Sequence, residues 1–221
     1  MTSSNHPSPH KNVRGHMKIG FLGAGSVAVA IARQAVLAGH DLVLSNSRGP
    51  ASLQALAAEL GQHASAGTRQ EAASADMVVL AVPWPAVPEA LVGLPSWDGQ
   101  VLVDATNVFA SLDPVTLADL GDETGSEIVA GLAPGARVVK AFNSLFAEYI
   151  AAPRRPGGNV VLFHAGDDEA AKVQVASLAA TFGFVPLDVG DLRQGGSLLE
   201  LGGSLSGQHL LKPEAEDDAV R

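Results

Sequence analysis

Residues 23–28 read GAGSVA, a glycine spacing that can bind phosphate groups. They follow the apolar run Ile19 to Leu22 and open a helix-like run at Ser26, which is the strand–turn–helix setting of a dinucleotide site. The first glycine permits a tight turn, the second leaves room for a pyrophosphate, and Ala28 permits close packing of helix on strand. The helix N-terminus adds unpaired N–H groups and a positive dipole end. The residues expected to bind the pyrophosphate are Gly23, Ala24, Gly25, Ser26 and Val27. The alternative is a glycine turn without a ligand.

The end of the second predicted strand sets the choice of dinucleotide. Proteins that bind NAD place an Asp or Glu there to accept hydrogen bonds from the ribose 2′-hydroxyl. Residues 45–49 read SNSRG and hold no carboxylate. Their hydroxyl, amide and guanidinium groups can bind a 2′-phosphate instead. We therefore expect NADP(H) rather than NAD(H), bound by Asn46, Ser47 and Arg48. The alternative is that Arg48 is a solvated loop residue.

Three later strand ends add candidate residues to the same crevice. The loop Ala81-Val82-Pro83 follows the fourth strand and is expected to pass from the adenosine ribose toward the nicotinamide. Asn107, after the fifth strand, and Asn143, after the sixth, are expected near the nicotinamide. For Lys140 a pocket and a surface position are equally open. Trp84 fits ligand contact, core packing or an interface.

The sequence shows no acid–base, nucleophilic or metal-binding constellation. His40, His63 and His164 are too scattered for a metal site, and their expected roles are structural. The nucleophile motif Gly-x-Ser-x-Gly is absent as well. We therefore predict no catalytic side chain and no metal. Direct hydride transfer between two redox molecules is compatible with such a site, because the protein need only position the two rings.

The elements that must position these residues alternate between strand-like and helix-like runs. This pattern predicts an α/β protein with a doubly wound, mostly parallel Rossmann sheet and a short C-terminal helical segment. The predicted strands cover residues 18–22, 41–45, 63–66, 77–82, 101–105, 137–142, 160–165 and 185–189, and the predicted helices residues 26–38, 50–60, 124–132 and 168–182.

Four segments follow from this pattern. Residues 17–190 form the predicted dinucleotide-binding domain, and residues 191–210 a C-terminal segment that packs on the domain or on a dimer partner. Residues 1–16 are polar and are expected to be a disordered leader. Residues 211–221 are expected to be an acidic tail.

Composition excludes several classes of function. The 221 residues carry a net charge of −9, which disfavours nucleic acid as a partner. The most apolar long stretch, residues 77–95, contains four prolines and a glutamate, so no membrane span is expected. Cysteine is absent, which excludes disulfides and thiolate chemistry and makes the cytoplasm the expected compartment.

The motifs taken together resemble the deazaflavin-dependent NADP reductase family, the NADPH:coenzyme F420 oxidoreductases. The resemblance covers roughly residues 17–205 and is carried by residues 23–28, 46–48, 82–84, 138–143, 165–168 and 186–192. It implies that Ala24 to Val27 bind the pyrophosphate and that Ser47 and Arg48 bind the 2′-phosphate. It also implies a homodimer with C-terminal segments at the contact. Asn143 replaces the histidine typical of the reductases, and the C-terminal region is short, so the electron acceptor stays open.

Three functions compete at this point. The first is an NADPH-dependent oxidoreductase that exchanges hydride with a second redox cofactor or small acceptor, coenzyme F420 being a candidate. The second is a non-catalytic NADPH-binding module that senses redox state or docks on a partner. An exposed apolar patch around Trp84 or Trp97, combined with no turnover against any acceptor, would favour this module. The third, a β-hydroxyacid dehydrogenase, needs a large helical domain for which this chain lacks the length.

Overall fold

A computed structural model of the chain describes residues 15–213. The predicted leader therefore lies outside the described residues except for residues 15 and 16, and the predicted acidic tail except for residues 211–213. His16 contacts the domain, since its imidazole nitrogens bond the Gly39 carbonyl oxygen at 2.6 Å and the Asp41 carboxylate at 2.7 Å.

Most of the described strands belong to one sheet of mixed but mainly parallel pairing. The strands are β1 (Lys18–Leu22), β2 (Asp41–Ser45), β3 (Ala64–Ala66), β4 (Met77–Leu80), β5 (Val101–Asp104), β6 (Phe109–Leu112), β7 (Val115–Leu117), β8 (Arg137–Ala141), β9 (Arg154–Arg155), β10 (Gly158–Gly166), β11 (Val185–Asp188) and β12 (Leu211–Lys212). The main order is β11-β10-β8-β5-β4-β1-β2-β3, and β6 and β7 form a separate hairpin. The run from β3 to β8 is parallel, which confirms the predicted doubly wound fold.

Helices cover both faces of this sheet. They are α1 (Ser26–Leu37), α2 (Gln54–Leu60), α3 (Arg69–Ala73), α4 (Val87–Leu91), α5 (Gly125–Leu132), α6 (Ala147–Ala151), α7 (Glu169–Phe182) and α8 (Gln194–Leu199), with short 3-10 helices at Pro50–Leu53 and Trp84–Ala86. No helix among the described residues is both long and apolar enough to cross a membrane.

Successive residues of a strand pack their side chains into two separate apolar cores. Met77 and Val79 of β4 pack in one core, whereas Val78 and Leu80 pack in the other. This alternation follows from the pleat of a strand, which points neighbouring side chains to opposite faces. It explains why β4 is continuously apolar, since both of its faces are buried.

The structure departs from the predicted pattern at the C-terminal half of the sheet. Strand β10 runs antiparallel to β8, although it is parallel to β11. Residues 211–212, assigned to the tail, form β12 and pair with the start of β10. The helices α3, α4 and α6 and the hairpin of β6 and β7 have no counterpart among the predicted elements.

Candidate functional site

The glycine turn after β1 is fixed by its neighbours on both sides. Gly23 has φ +110°, and a Cβ there would overlap the carbonyl oxygen of Ala81, the residue that follows β4. Its N–H donates to the Ser45 carbonyl oxygen at the end of β2, at 3.0 Å. The chain can therefore make this turn only with a residue that lacks a side chain.

Gly25 has the opposite kind of surroundings. Its φ of −78° is open to any residue, yet a Cβ there would meet no atom of residues 15–213 within 4 Å. Gly25 is also the N-cap of α1, where no described side chain caps the helix and no acidic residue stands in the first turn. The N–H groups of that turn lack intrahelical acceptors. The turn thus presents free donors to open space, which is the cradle that a phosphate requires.

A cavity of about 520 Å³ opens beside this turn. Five segments, all from the first half of the chain, line it. They are Leu22 to Gly25 after β1, Ser45 to Pro50 after β2, Thr68 and Arg69 after β3, Ala81 to Pro83 after β4, and Ala86, Glu89 and Ala90 on the α4 side. The carboxyl ends of parallel strands meet at one edge of a sheet, which is why these segments converge.

In the loop after β2, one polar side chain bonds within the loop and two others are exposed at the cavity. The Asn46 side chain accepts a hydrogen bond from the Arg48 N–H at 3.0 Å and donates to the Ser52 hydroxyl at 3.0 Å. The Asn46 side-chain amide, which was expected to bind a phosphate, therefore uses its hydrogen bonds to fix the conformation of the loop. Neither the Ser47 hydroxyl nor the Arg48 guanidinium bonds any described residue, and both side chains are exposed at the cavity.

A second set of polar residues lies at the carboxyl ends of β5 and β8. The Lys140 ammonium lies 3.1 Å from the Asp104 carboxylate and donates to the Thr106 carbonyl oxygen at 3.1 Å. Both side chains are fully buried. Burial alone would raise the pKa of Asp104, but the Lys140 charge and hydrogen bonds from Ser126 and Thr106 hold it below its usual value. Lys140 is therefore neither a surface nor a pocket residue, because it neutralises a buried carboxylate.

Two asparagines stand beside this ion pair. Asn107 donates to the Asn143 carbonyl oxygen at 2.9 Å, and Asn143 donates to the Leu199 carbonyl oxygen at 2.8 Å. The residue between β8 and Asn143, Phe142, has φ +68°, a strained conformation for a large side chain. The Asn143 side-chain oxygen is buried and has no hydrogen-bond partner among the described residues.

The C-terminal segment reaches this region through Glu200. Its carboxylate accepts a hydrogen bond from the Gly125 N–H at the start of α5. Burial and the nearby carboxylates of Asp104 and Glu127 raise the pKa of Glu200, although Lys140 and the Gly125 bond oppose the shift. A Cβ on Gly125 would also press on the Trp84 ring, so Trp84 belongs to this packed corner.

The structure brings most of the predicted site residues together and separates others. Nine of them line the cavity: Gly23, Ala24, Gly25, Asn46, Ser47, Arg48, Ala81, Val82 and Pro83. Ser26 and Val27 form the start of α1 next to it. Asn107 and Asn143 lie at the ends of β5 and β8 and are not part of the cavity lining.

Sequence reasoning missed Thr68, Arg69 and Glu89. A signal existed for the first two, because they follow the weak third strand at the same sheet edge as the other loops. Glu89 carried no such signal, since α4 was not predicted.

Comparison with known proteins shows similarity along most of the chain. Residues 18–108 match the family model described as NADP oxidoreductase, coenzyme F420-dependent. A curated relative, the metalloreductase STEAP3 of Rattus norvegicus, is 33% identical over 177 residues, which are 79% of this chain and 34% of that protein. The chain thus spans about a third of that relative's length.

Two solved structures share the fold over nearly their whole length. A hypothetical protein from Sinorhizobium meliloti, SMa0349, superposes with a TM-score of 0.82 at 37% identity, covering 90% of this chain and 96% of that one. A protein from Arthrobacter sp. FB24, assigned as an F420-dependent NADP reductase, gives a TM-score of 0.67 at 28% identity, covering 81% of this chain and 88% of that one.

Proposed function

We propose that the chain is a coenzyme F420-dependent NADP oxidoreductase, from the match of residues 18–108 to that family model, and that it binds NADP(H) in the cavity beside the glycine turn. NADP(H) bound there would supply or accept a hydride at its nicotinamide, and a second redox molecule, with coenzyme F420 as the leading candidate, would be the hydride acceptor or donor. The pair formed by the free Arg48 guanidinium and the free Ser47 hydroxyl at this cavity carries the proposal.

The residues of the chain divide the work of binding. The α1 N-terminus and the turn from Gly23 to Gly25 would hold the pyrophosphate, because they offer uncapped N–H groups and room for close approach. Ser47 and Arg48 would hold the 2′-phosphate. Asn46 would keep the loop in shape through its bond to the Arg48 N–H.

Asn107 and Asn143 would orient the nicotinamide end. They stand on the ends of β5 and β8, and the Lys140 bond to the Thr106 carbonyl oxygen fixes the loop that carries Asn107. The Asn143 side-chain oxygen has no partner among the described residues but is buried, so the side chain would have to turn toward the cavity to accept from an amide N–H of the cofactor. Trp84 and Trp97 both pack against the second apolar core. They therefore do not supply the exposed patch expected of a docking module.

Titration with the two reduced cofactors tests this proposal. We expect wild-type protein to bind NADPH about a hundredfold more tightly than NADH, since two charge-assisted hydrogen bonds contribute roughly 1.5–3 kcal/mol each. Arg48→Gln should remove at least about tenfold of that preference, with NADH affinity unchanged. Isothermal titration calorimetry measures both affinities. The matched control is Arg33→Gln, because Arg33 pairs with Glu59 away from the cavity. Equal affinities for the two cofactors in wild-type protein would refute the assignment.

Stopped-flow mixing separates the enzyme from the binding module. The NADPH complex is mixed in turn with a deazaflavin, a flavin and a ferric acceptor, and NADPH absorbance is followed. We expect oxidation by the deazaflavin. Tight NADPH binding without oxidation by any of the three would favour the redox-sensing module.

We also propose a homodimer with C-terminal segments at the contact, from the family resemblance, and a cytoplasmic location, from the absence of cysteine. Light scattering coupled to size-exclusion chromatography tests the dimer, and a monomer at micromolar concentration would contradict it.

A further inference from the structure

Arg69 is a second arginine at the proposed cofactor cavity, and neither the glycine motif nor the loop after β2 includes it. It is the first residue of α3, which begins three residues after β3 ends. Its side chain is half-buried and lines the same cavity as Arg48. The two arginines reach the cavity from neighbouring strands, since β2 pairs with β3.

A hydrogen bond holds the Arg69 side chain in place, and a capping box fixes its backbone. Its guanidinium Nη1 donates to the Glu89 carbonyl oxygen in α4, so the side chain spans from the end of β3 to the α4 side of the cavity. Its backbone is fixed by a capping box, in which Thr68 and Glu71 exchange hydrogen bonds of 2.7 Å and 3.2 Å. The bond to Glu89 uses one of the five guanidinium N–H donors, and the other four have no partner among the described residues.

The charge of the cavity lining contrasts with the charge of the whole chain. The chain has a net charge of −9, whereas the charged residues of the described part of the chain that line the cavity are Arg48, Arg69 and Glu89, for a local sum of +1. A phosphate monoester carries up to two negative charges at neutral pH. Two guanidinium groups match this charge, and each offers a planar fork for paired hydrogen bonds to phosphate oxygens.

We infer that Arg69 is a second specificity-determining residue for the 2′-phosphate, acting together with Arg48. The inference rests on the proposed function, because it concerns the adenosine end of the same cofactor. Arg69 enters the site held by the Glu89 carbonyl oxygen, whereas Arg48 is free to close on the ligand. The Glu89 carboxylate opposes the phosphate and limits its affinity.

Calorimetric titration of four proteins with NADPH and with NADH tests the inference. The proteins are the wild type, Arg69→Gln, Arg69→Lys and the control Arg33→Gln. We expect Arg69→Gln to weaken NADPH binding about tenfold, the loss of one charge-assisted hydrogen bond, and to change NADH binding less than about twofold. Arg69→Lys should recover part of the loss, since it restores the charge without the fork. Arg33→Gln should resemble the wild type.

A further variant and the dependence on salt provide readouts independent of turnover. Glu89→Gln should tighten NADPH binding more than NADH binding, because the carboxylate repels the additional phosphate of NADPH besides the pyrophosphate that both cofactors carry. The NADPH affinity of Arg69→Gln should fall less steeply with added salt than that of the wild type. Circular dichroism establishes that each variant is folded, and Arg69→Lys keeps the test open if Arg69→Gln is not.

The possible failures are distinguishable. An equal loss of NADPH and NADH affinity in Arg69→Gln would place Arg69 against a part shared by both cofactors and overturn the inference. Unchanged affinities in that variant would overturn it as well, while an effect of Arg48→Gln would leave the proposed function standing. Wild-type protein that binds neither cofactor would overturn both.

Discussion

Single residues at the glycine turn separate the demands of folding from those of binding. Gly23 is required by the backbone, because its φ is positive and the Ala81 carbonyl oxygen fills the space a side chain would need. Gly25 has neither a positive φ nor a neighbouring atom of the described residues where a Cβ would lie, so folding does not require a glycine there. The missing side chain of Gly25 matters only to a molecule that enters the open space. Substitutions at Gly23 and Gly25 can therefore separate an effect on folding from an effect on binding.

Alanine at the two glycines should therefore have opposite effects. We expect Gly23→Ala to lower the free energy of unfolding by about 3 kcal/mol, from backbone strain and overpacking together. Gly25→Ala should change that free energy by less than about 1 kcal/mol but weaken NADPH binding about tenfold or more, through overlap with the pyrophosphate. Urea denaturation and calorimetry give the two quantities.

Gly39→Ala provides the control for strain alone. Gly39 has φ +84°, but a Cβ there would meet no atom of the described part of the chain within 4 Å. Its substitution should cost about 1–2 kcal/mol, the cost of a left-handed conformation without a clash. A Gly23→Ala variant no less stable than Gly39→Ala would contradict the packing described for the turn.

At the scale of elements, β5 and β8 are joined by a buried charge pair as well as by their ladder. Lys140 and Asp104 have no exposed side-chain surface, and Ser126 and Thr106 satisfy further lone pairs of the carboxylate. Removing one charge would leave the other buried without compensation. The ion pair and its hydrogen bonds thus hold β5, β8 and the first turn of α5 in fixed relative positions.

Lys140→Met should lower the free energy of unfolding by about 3–5 kcal/mol, because it leaves the Asp104 carboxylate buried without its opposite charge. Asp104→Asn should also lower the free energy of unfolding, since it leaves the Lys140 ammonium buried without its opposite charge. The double variant should cost less than the sum of the two single variants, because it leaves no uncompensated charge. Urea denaturation of all four proteins completes the cycle, and additive effects would show that the pair does not act as a unit.

Elements with long or continuous apolar patterns could be predicted from sequence, and short ones could not. The bounds of β1 and β2 agree with the prediction, and α1 ends one residue early. Helix α4 spans only five residues and includes Pro88, so it has no recognisable helical period. The direction of β10 could not be predicted, since an apolar run is the same whichever way the strand runs.

The candidate site was predictable to the same extent. Residues of the glycine turn and of the loop after β2 carry motifs, so Gly23, Gly25 and Arg48 could be named from spacing. Arg69 could not, because its place depends on a three-residue strand and on the Glu89 carbonyl oxygen of a helix that was not predicted. The ion pair of Lys140 and Asp104 is likewise invisible until strand order brings the two residues together.

For the whole molecule, histidines give stability a dependence on pH. His164 of β10 is buried, and burial lowers its pKa below the ordinary 6.5 although Asp188 and Glu169 oppose the shift. The effect on His40 is similar, with burial and His16 both lowering its pKa. His16 behaves in the opposite way, because its hydrogen bond to Asp41 raises its pKa.

The unfolding free energy should therefore fall as pH drops below about 6.5, since the unfolded chain then binds protons that folded His164 and His40 exclude. His164→Leu should make this fall shallower. His16→Asn should make it steeper, because the raised pKa of His16 contributes stability that is present at low pH and lost as pH rises. Urea denaturation at pH 7 and pH 5 measures the slopes. A His164→Leu slope equal to that of the wild type would contradict the assignment.

The walls of the cavity all come from residues 22–90, whereas the asparagine pair, the buried ion pair and Glu200 come from residues 104–200. The two groups of residues are therefore separate in the sequence, although one sheet and a shared apolar core join them. Substitutions in the later part that preserve this core leave the residues of the cavity wall unchanged, so the acceptor side can vary while the proposed cofactor cavity is kept. Chimeras joined in the loop of residues 92–100 would follow the same boundary.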